Sequence, residues 1–577
     1  MRRAPLTSLI QPGLIALILL APTGCSQWML RSKLDTQSLD EATLDEANLI
    51  GGYTHPYGLN YVQVDAVALV TGLDGTGSDP SPSPQRAALL NEMKRHKVPN
   101  PNAMLASEST ALVTLRGFLR PGIRKGDKFD IQVRVPSRSD TTSLRNGWVL
   151  PAKLTEHALL GRQVRQGHTL AEAVGPVLVD PGAAEEEALA NRGRILSGGI
   201  ALRDRPMGLI VSHPSKSVRL SKEISSAINE RFDTYQNGRK TGLANPKTDE
   251  FIELLLHPRY KDNVTRFVKV VRSIAIREDS EGRQKRQGRL AMQLMDPLTT
   301  ANAALRLEAL GGEQAVETLK QGSRSSDPEV RFYSAEALAY LDETAAVKPL
   351  ADAAREEPAF RVHALAALSA MDDISAYEAL RELLAVRSAE TRYGAFRSLW
   401  SMNSGDPLVR GELLGEQFSY HVLDVEGPPM LHVTRSFRPE IVLFGVEQEF
   451  QLPMVVNGGK RIIVNGLTGN QVTVSRFSEG GETQKRVVSP DVDDVIRAIV
   501  ELGGSYPDVV QALQQARADN ALAVSLRVDA LPETGRRFAS REDRDSDSDE
   551  PIDPDDLGAT PYRVATPVPD LFSRQKK

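Results

Sequence analysis

The feature that most constrains this fold is an internal repeat of 28 to 31 residues between positions 290 and 402. Leu338, Leu368 and Leu399 are 30 and 31 residues apart, and Leu310 precedes the first of them by 28. A second series keeps nearly the same period: Val316-x-x-Leu319, Val347-x-x-Leu350 and Tyr377-x-x-Leu380. Two helices per unit at this period predict an α-solenoid, in which each unit buries its apolar face on the next.

The repeat units resemble short HEAT repeats, and three to four of them fit within residues 289–404. An irregular helical bundle is the alternative, but two interleaved series with one period favour the solenoid. We expect the core leucines to be Leu310, Leu338, Leu368 and Leu399. Three arginines stand seven residues before three of these leucines: Arg331, Arg361 and Arg392. They are expected either to bond loop acids of the neighbouring repeat, such as Asp327 or Glu357, or to line a binding face, and the structural ladder is favoured.

The segments on either side of the repeats combine strands and helices. Apolar residues alternate between Phe129 and Val135, which predicts a strand with one buried face. Three helices are predicted to begin at the caps Ser221, Asn263 and Ser489. We therefore expect an α+β body in two discontinuous segments, 58–288 and 435–532, joined to the inserted all-α solenoid by a connector over 405–434.

Cys25 is the only cysteine of the chain and directly follows an export-signal pattern. Two arginines precede the apolar run 13–21, a layout typical of a secretory signal peptide, which we predict for residues 1–24. Small residues before a lone cysteine resemble a bacterial lipobox. We favour lipidation of Cys25 over ordinary cleavage nearby, an uncleaved anchor or a buried free thiol. The serine after it indicates the outer membrane, by resemblance to bacterial lipoproteins, and a tether is expected over 25–57.

Charge is distributed unevenly along the chain. The 70 basic and 75 acidic residues give a net charge of −5, and residues 541–556 alone carry nine acids and two arginines. The remainder lacks the excess of positive charge expected of a nucleic-acid-binding protein. An acidic, disordered tail is predicted over 533–577. One basic cluster is interpreted as a solvated turn, with an anionic polymer as the alternative partner: Arg120, Arg124, Lys125 and Lys128.

The sequence contains no recognisable catalytic or metal-binding pattern. The nine histidines are scattered, and a single cysteine cannot build a cysteine-based metal cluster. No Gly-x-Ser-x-Gly elbow is present, and the glycine-rich turn 72–77 does not fit the spacing of a dinucleotide fingerprint. A hydrophobic fraction of 41% excludes wholesale disorder and polytopic membrane insertion. We therefore predict a protein that is not an enzyme and has no cofactor, no metal and no nucleic-acid partner.

Four stretches outside the repeats together resemble one known protein family. The first is Leu69-Val-Thr-Gly-Leu-Asp-Gly-Thr-Gly77, and the second runs from Leu119 to Val133 and on into Ser143-Leu-Arg-Asn-Gly147. The third is Gly193-Arg-Ile-Leu-Ser-Gly-Gly-Ile200, and the last combines 493–503, 507–510 and the strand from Leu522. The family-motif residues are Gly72, Asp74, Gly75, Gly77, Ser143, Leu144, Arg145 and Gly147. These stretches resemble the flagellar P-ring protein family.

The resemblance covers residues 59–280 and 435–531, with the repeats between the two parts. It implies a subunit of a homo-oligomeric ring around the flagellar rod, in the periplasm and the flagellar basal body. The implied partners are the rod and L-ring proteins, with peptidoglycan as a further candidate. An unidentified protein is expected to bind the solenoid. The chain is expected to contact the membrane only through its lipid anchor. The alternative is a lipid-anchored envelope scaffold that is not flagellar and binds another protein through its repeats.

Overall fold

The computed structural model describes residues 48–160, 163–179, 190–236, 238–435, 438–459, 461–467, 469–477, 482–533, 569 and 571. The predicted signal peptide, Cys25 and residues 26–47 of the predicted tether lie outside these residues. The predicted acidic tail also lies outside the described residues, apart from Glu533, Pro569 and Leu571. Pro569 and Leu571 are both buried, and Leu571 belongs to the hydrophobic core that includes the helical repeats.

Strands dominate the N-terminal half, up to residue 272. They are β1 Thr54–Tyr57, β2 Val62–Thr71, β3 Ala111–Leu119, β4 Lys128–Arg134, β5 Trp148–Leu160, β6 Gln163–Pro176, β7 Leu178–Val179, β8 Arg192–Ala201, β9 Met207–Val211, β10 Asp233–Gln236, β11 Arg239–Gly242, β12 Ala244–Pro246 and β13 Phe251–Leu254. The helices are α1 Ile50–Tyr53, α2 Pro84–Arg95, α3 Pro101–Leu105, α4 Val218–Arg231 and α5 Val264–Arg272.

Strands β2 to β8 form a sheet that closes into a barrel. Its order is β4-β3-β2-β5-β6-β8-β7, and an additional pairing of β4 with β8 joins the two sides. The alternation predicted for β4 is confirmed, because Phe129, Ile131 and Val133 all belong to the barrel core. Helices α2 and α3 cover part of the outer face, where Leu69 and Leu112 are buried.

A second, smaller sheet has the order β1-β9-β13-β12, with α4 and α5 packed beside it. Because β1 already belongs to this sheet, the predicted tether 25–57 extends too far, and the folded body begins before Gly58. Asn263 is confirmed as a cap, since its Oδ1 accepts a hydrogen bond from the backbone N–H of Arg266 at 3.1 Å. Ser221 is not a cap. The helix begins one turn earlier at Ser217, and the Ser221 hydroxyl instead donates to the carbonyl of Asp249 at 2.9 Å.

The helical repeats follow as eight helices. They are α6 Ser280–Leu294, α7 Thr300–Leu310, α8 Glu313–Gly322, α9 Pro328–Tyr340, α10 Val347–Glu356, α11 Arg361–Ser369, α12 Ile374–Leu383 and α13 Ala389–Met402. They pack pairwise along the chain, with α7 against α9, α9 against α11 and α11 against α13. The repeat leucines Leu310, Leu338, Leu368 and Leu399 are all buried.

The C-terminal region, residues 412–531, is again mixed. Its strands are β14 Glu412–Leu414, β15 Phe418–Leu423, β16 Met430–Val433, β17 Glu440–Phe444, β18 Met454–Gly458, β19 Ile462–Gly466, β20 Val472–Arg476, β21 Gln484–Val488 and β22 Ser525–Val528. Its helices are α14 Val492–Glu501 and α15 Tyr506–Ala518.

The C-terminal strands form two sheets, β14-β15-β17-β16-β22 and β18-β19-β20-β21. The predicted connector 405–434 is therefore largely sheet, because β15 and β16 both pair with β17, β16 also pairs with β22, and β14 pairs with β15. The predicted cap Ser489 is also wrong. Asp491 caps α14, and its Oδ1 accepts from the backbone N–H of Asp493 at 2.7 Å.

One hydrophobic core runs from the small sheet through the repeats and into the C-terminal region. Its buried members include Leu209 of β9, Phe267 of α5, Leu338 and Leu399 of the repeats, and Phe444 of β17. Buried side chains in contact transmit packing forces between the elements that carry them. The repeats are thus packed against the α+β elements on both sides in sequence.

Candidate functional site

The two family-motif stretches meet at one end of the barrel. The loop 72–77 leaves β2, and the loop 143–147 leads into β5. These strands are paired in the sheet, with Thr71 opposite Trp148. The backbone N–H of Thr142 donates to the carbonyl of Thr76 at 3.0 Å, and the Thr76 hydroxyl donates to the carbonyl of Ser143 at 2.8 Å. The two loops therefore form one hydrogen-bonded unit, called the motif loops below.

The motif glycines are required by the backbone and by close packing. Gly72 and Gly75 have φ angles of +78° and +71°, in the left-handed region that favours glycine. A Cβ at Gly77 would lie 2.0 Å from the carbonyl oxygen of Thr110, and one at Gly147 would lie 2.4 Å from Val70 Cγ1. Both contacts are far inside van der Waals distance, so the loops tolerate no side chain at these two positions.

The polar motif residues brace the loops and face the C-terminal region. Asp74 Oδ2 accepts from Asn146 Nδ2 at 3.1 Å, and Asp74 Oδ1 lies 3.8 Å from Arg461 Nη2, just before β19. The Ser143 hydroxyl accepts from the backbone N–H of Arg145 at 3.2 Å, and Leu144 is fully buried in the barrel core. The arrangement provides a structural joint and contains no nucleophile-and-base pair.

A buried charge cluster joins α5 to the first two repeats. Arg266 Nη2 lies 2.6 Å from Glu308 Oε2, and Arg266 Nη1 lies 2.8 Å from Glu336 Oε2. The Tyr260 hydroxyl donates to Glu308 Oε1 at 2.7 Å, and the Arg266 guanidinium stacks 4.5 Å above the Tyr340 ring. Because the three charged side chains are almost completely buried, removing one partner would leave an uncompensated buried charge.

A second buried cluster joins the last repeat to β17. Glu440 accepts a hydrogen bond from the Tyr393 hydroxyl at 2.7 Å and one from Arg397 Nη1 at 3.1 Å. Burial alone would raise the pKa of Glu440, but Arg397 and Arg438 outweigh it and hold the pKa below its usual value. The His432 ring stacks on Tyr393 with 3.7 Å between the ring centroids. Both ends of the repeats are therefore fixed to the α+β elements by charge.

Sequence reasoning missed these clusters, although the repeat phase marks them. Glu308, Glu336 and Arg397 each stand two residues before a repeat leucine, at Leu310, Leu338 and Leu399. Position 366, two residues before Leu368, is a buried alanine. The available signal was charge at one phase of the repeat, which is present in the first two units and the last unit and absent from the unit of Leu368.

The repeat arginines bond mostly to backbone carbonyls close to their own helix start. Arg331 Nη1 donates to the carbonyl of Ser325 at 2.8 Å, Arg361 Nε to that of Ala354 at 3.2 Å, and Arg392 Nε to that of Leu384 at 2.7 Å. Arg361 also bonds Glu390 of the next repeat at 3.0 Å. Of the acids named in the sequence analysis, Asp327 caps α9. Arg361 and Arg392 are buried, so these two do not line an open binding face.

A cleft of about 1190 Å³ lies between α4 and the first repeats. Its walls carry cations and carboxylates in equal number, and its apolar lining includes Ile274, Ile276, Leu310 and Val316. Several wall residues already have partners. Arg286 Nη2, for example, lies 2.7 Å from Glu278 Oε2. The mixed lining suits a polypeptide segment better than a small charged ligand.

Among the residues that the structure describes, no group of three histidine, cysteine or acidic side chains is placed to hold a metal ion. Within that same part of the chain, none of the helices combines the length and apolar composition needed to cross a membrane.

Two parts of the chain match known protein families. Residues 54–286 match the family model of the flagellar P-ring protein, and residues 289–362 and 316–400 match the model of HEAT repeats. The first match covers the barrel, the small sheet, α4 and α5. The likeness proposed for residues 435–531 lies outside the matched range and stays a prediction.

Three curated relatives agree with the first match, and each is a flagellar P-ring protein. The protein from Photorhabdus laumondii is 26% identical over 243 residues, which is 41% of this chain and 63% of the relative. The one from Desulfotalea psychrophila is 28% identical over 252 residues, covering 41% and 61%. The one from Escherichia fergusonii is 25% identical over 238 residues, covering 41% and 63%. The match thus spans less than two thirds of the relatives' length. The resemblance seen in residues 59–280 is confirmed: this part of the chain is similar to flagellar P-ring proteins, and it is followed by a part that is similar to HEAT repeats.

Proposed function

We propose that this protein is a structural subunit of a periplasmic ring around the flagellar rod. The observation that carries the proposal is that the matched region 54–286 contains a complete closed barrel with its motif loops. A ring subunit needs a rigid body with fixed faces, and the described residues offer packed joints rather than a catalytic constellation. We also propose that the rod and L-ring proteins are its neighbours, with peptidoglycan as a further contact.

The test is electron microscopy of basal bodies purified from a strain that lacks this protein. We expect the ring nearest the peptidoglycan layer to be missing and motility to be lost, with both restored by the wild-type chain. An intact ring in the deletion strain would contradict the proposal.

A pair of glycine variants provides a matched control. Gly77→Ala should fail to restore the ring, because its Cβ would collide with the backbone at Thr110. Gly288→Ala on α6 should restore it fully, since a Cβ there has no heavy atom within 4 Å.

Lipid anchoring at Cys25 is a separate part of the proposal. It is supported by the export-signal pattern before the cysteine. The several acyl chains of a mature lipoprotein would hold the protein stably at a membrane, whereas one chain gives only marginal binding. Cys25→Ser should abolish fatty-acid labelling of the protein. A correctly processed wild-type protein without lipid would contradict the anchor and leave the ring proposal standing.

The second candidate is an envelope scaffold that binds another protein through its repeats. The cleft between α4 and the first repeats favours it. It predicts that the protein is present and bound to a partner in cells that build no flagella. Substituting Val316 and Glu317 in the cleft would then release that partner without disturbing any ring.

A further inference from the structure

One end of the barrel carries a basic face. It is built by two loops, 119–128 between β3 and β4, and 201–207 between β8 and β9. Six cations in these loops face two carboxylates: Arg120, Arg124, Lys125, Lys128, Arg203 and Arg205 against Asp127 and Asp204. Five of the six cations are exposed, and Arg205 is half-buried. The basic face therefore has a net charge of +4.

The two carboxylates stabilise the conformation of the loops through hydrogen bonds and neutralise only part of the positive charge. Asp127 Oδ2 accepts from Arg120 Nη2 at 3.2 Å and from the backbone N–H of Arg124 at 3.1 Å. Asp204 Oδ1 accepts from the backbone N–H of Lys125 at 2.7 Å. Arg205 donates to main-chain carbonyls, including that of Leu119 at 2.9 Å, and so ties the two loops together. These hydrogen bonds thus hold the two loops, and the cations that they carry, in a fixed arrangement.

The C-terminal region carries a complementary acidic face. It consists of Glu447 and Glu449 before β18, and Asp491, Asp493 and Asp494 at the start of α14. Glu449 and Asp491 are joined by a β-bridge, and the backbone N–H of Val492 donates to the carbonyl of Gln448 at 2.8 Å. Burial raises the pKa of Asp491, and the neighbouring carboxylates raise it further. These acids therefore lie close enough to repel one another.

The arginine in this acidic region leaves an excess of negative charge. Arg497 Nε lies 2.8 Å from Asp493 Oδ1, and Arg497 Nη2 lies 2.6 Å from Glu412 Oε1. With Glu412 included, the acids named in this described region are six carboxylates, and together with Arg497 they give it a net charge of −5. Glu447, Glu449 and Asp494 are exposed.

We propose that the basic face of one copy docks on the acidic face of the next copy, and so forms the contact between subunits of the ring. This inference rests on the proposed function. A closed ring of more than two copies needs a heterologous interface, in which two different and complementary surfaces of each chain meet. Opposite charge supplies register and specificity at such an interface. The occupant is thus a second copy of this chain.

The experiment is a charge swap on the full chain, followed by sedimentation and electron microscopy. The basic-face variant reverses four exposed cations and changes that face from +4 to −4: Arg124→Glu, Lys125→Glu, Lys128→Glu and Arg203→Glu. The acidic-face variant reverses three exposed acids and changes that region from −5 to +1: Glu447→Lys, Glu449→Lys and Asp494→Lys. Each variant alone presents like charges at both surfaces and should assemble at least about tenfold more weakly than the wild type. Mixed together, they should form alternating assemblies, because every contact then joins opposite charges. Lys94→Glu with Arg95→Glu on α2 is the matched control and should assemble normally.

The outcomes separate this inference from the ring itself. A wild-type chain that stays monomeric, with no ring in cells, would overturn the ring and the contact together. Ring assembly by both charge variants would overturn the contact alone. So would a mixture that fails to assemble. If the basic-face variant assembles normally but no longer sediments with isolated cell walls, its partner is an anionic polymer and the proposal is wrong. Deleting residues 541–556 should leave assembly intact, and its loss would show that this segment is the partner instead.

Discussion

Replacing Arg266 with alanine is expected to be far more damaging than the loss of an ordinary ion pair. The residue Arg266 is 1% exposed, and its partners Glu308 and Glu336 are 0% and 1% exposed. Removing the guanidinium leaves two carboxylates facing each other in the protein interior, where each must lose its charge or stay unpaired. Breaking a buried pair in this way typically costs about 3–5 kcal/mol in free energy of unfolding. We expect a loss in that range.

The measurement is urea unfolding of the full chain, followed by far-ultraviolet circular dichroism and tyrosine fluorescence. Arg266 lies on α5 and its partners lie on α7 and α9, so the cluster couples the matched P-ring region to the repeats. In the variant, the two probes should therefore give separate transitions if they coincide in the wild type.

Two controls make this prediction specific. Arg259→Ala removes a partly exposed pair, with 2.7 Å between Arg259 Nη2 and Asp342 Oδ2, and should cost about 0–1 kcal/mol. The triple variant Arg266→Met, Glu308→Gln, Glu336→Met removes all the charges at once and should recover most of the lost stability. A loss for Arg266→Ala no larger than that for Arg259→Ala would refute the reasoning.

Three further predictions concern the core and the barrel. Leu368→Ala should lower the free energy of unfolding by about 2–5 kcal/mol through a core cavity, measured by the same urea titration. Deleting residues 289–404 should yield a chain without cooperative unfolding, because the repeats share their core with α5 and β17; a soluble, cooperatively folded product would show that the repeats are a separable insertion. Asp130→Asn should remove a pH dependence. Burial raises the pKa of Asp130 to about 7, so the stability it contributes is complete below its unfolded pKa and is lost as pH rises towards 7. The free energy of unfolding of the variant, relative to that of the wild type, should therefore increase between pH 4 and 7, by up to about 1.4 kcal/mol per pH unit.

Local patterns in the sequence predicted local structure well. The alternation at Phe129, Ile131 and Val133 placed β4 within one residue, and the amide of Asn263 predicted the start of α5. The repeat period identified the helical region, because each unit buries the same face on its neighbour. The glycines of the motif loops also pointed to a tight turn. In all of these cases the determining contacts lie within a few residues or within one repeat.

The remaining features depend on contacts that are distant in sequence. Closure of the barrel needs β4 to pair with β8, and no local pattern reports that partner. The connector was missed because β14 to β16 are short strands that complete a sheet with β17 and β22. Ser221 and Ser489 have the right chemistry for caps, but the helices begin at other acceptors nearby. The Ser221 hydroxyl is satisfied by a carbonyl of another loop. In these cases, contacts with residues that are distant in sequence determine which strands pair and where the helices begin.

The two buried charge clusters explain how repeats of one design join a body of another. An internal repeat contacts only its neighbours, and apolar residues such as Ala366 suffice there. The first two repeats and the last repeat must instead meet α5 or β17, which do not share the repeat geometry. At the phase of Ala366 these units carry Glu308, Glu336 and Arg397, whose hydrogen bonds have fixed directions. Apolar packing alone would allow the repeats to slide or rotate against the body, whereas a directed buried pair satisfies its partners in only one arrangement. The repeats thus leave the α+β body at a fixed angle.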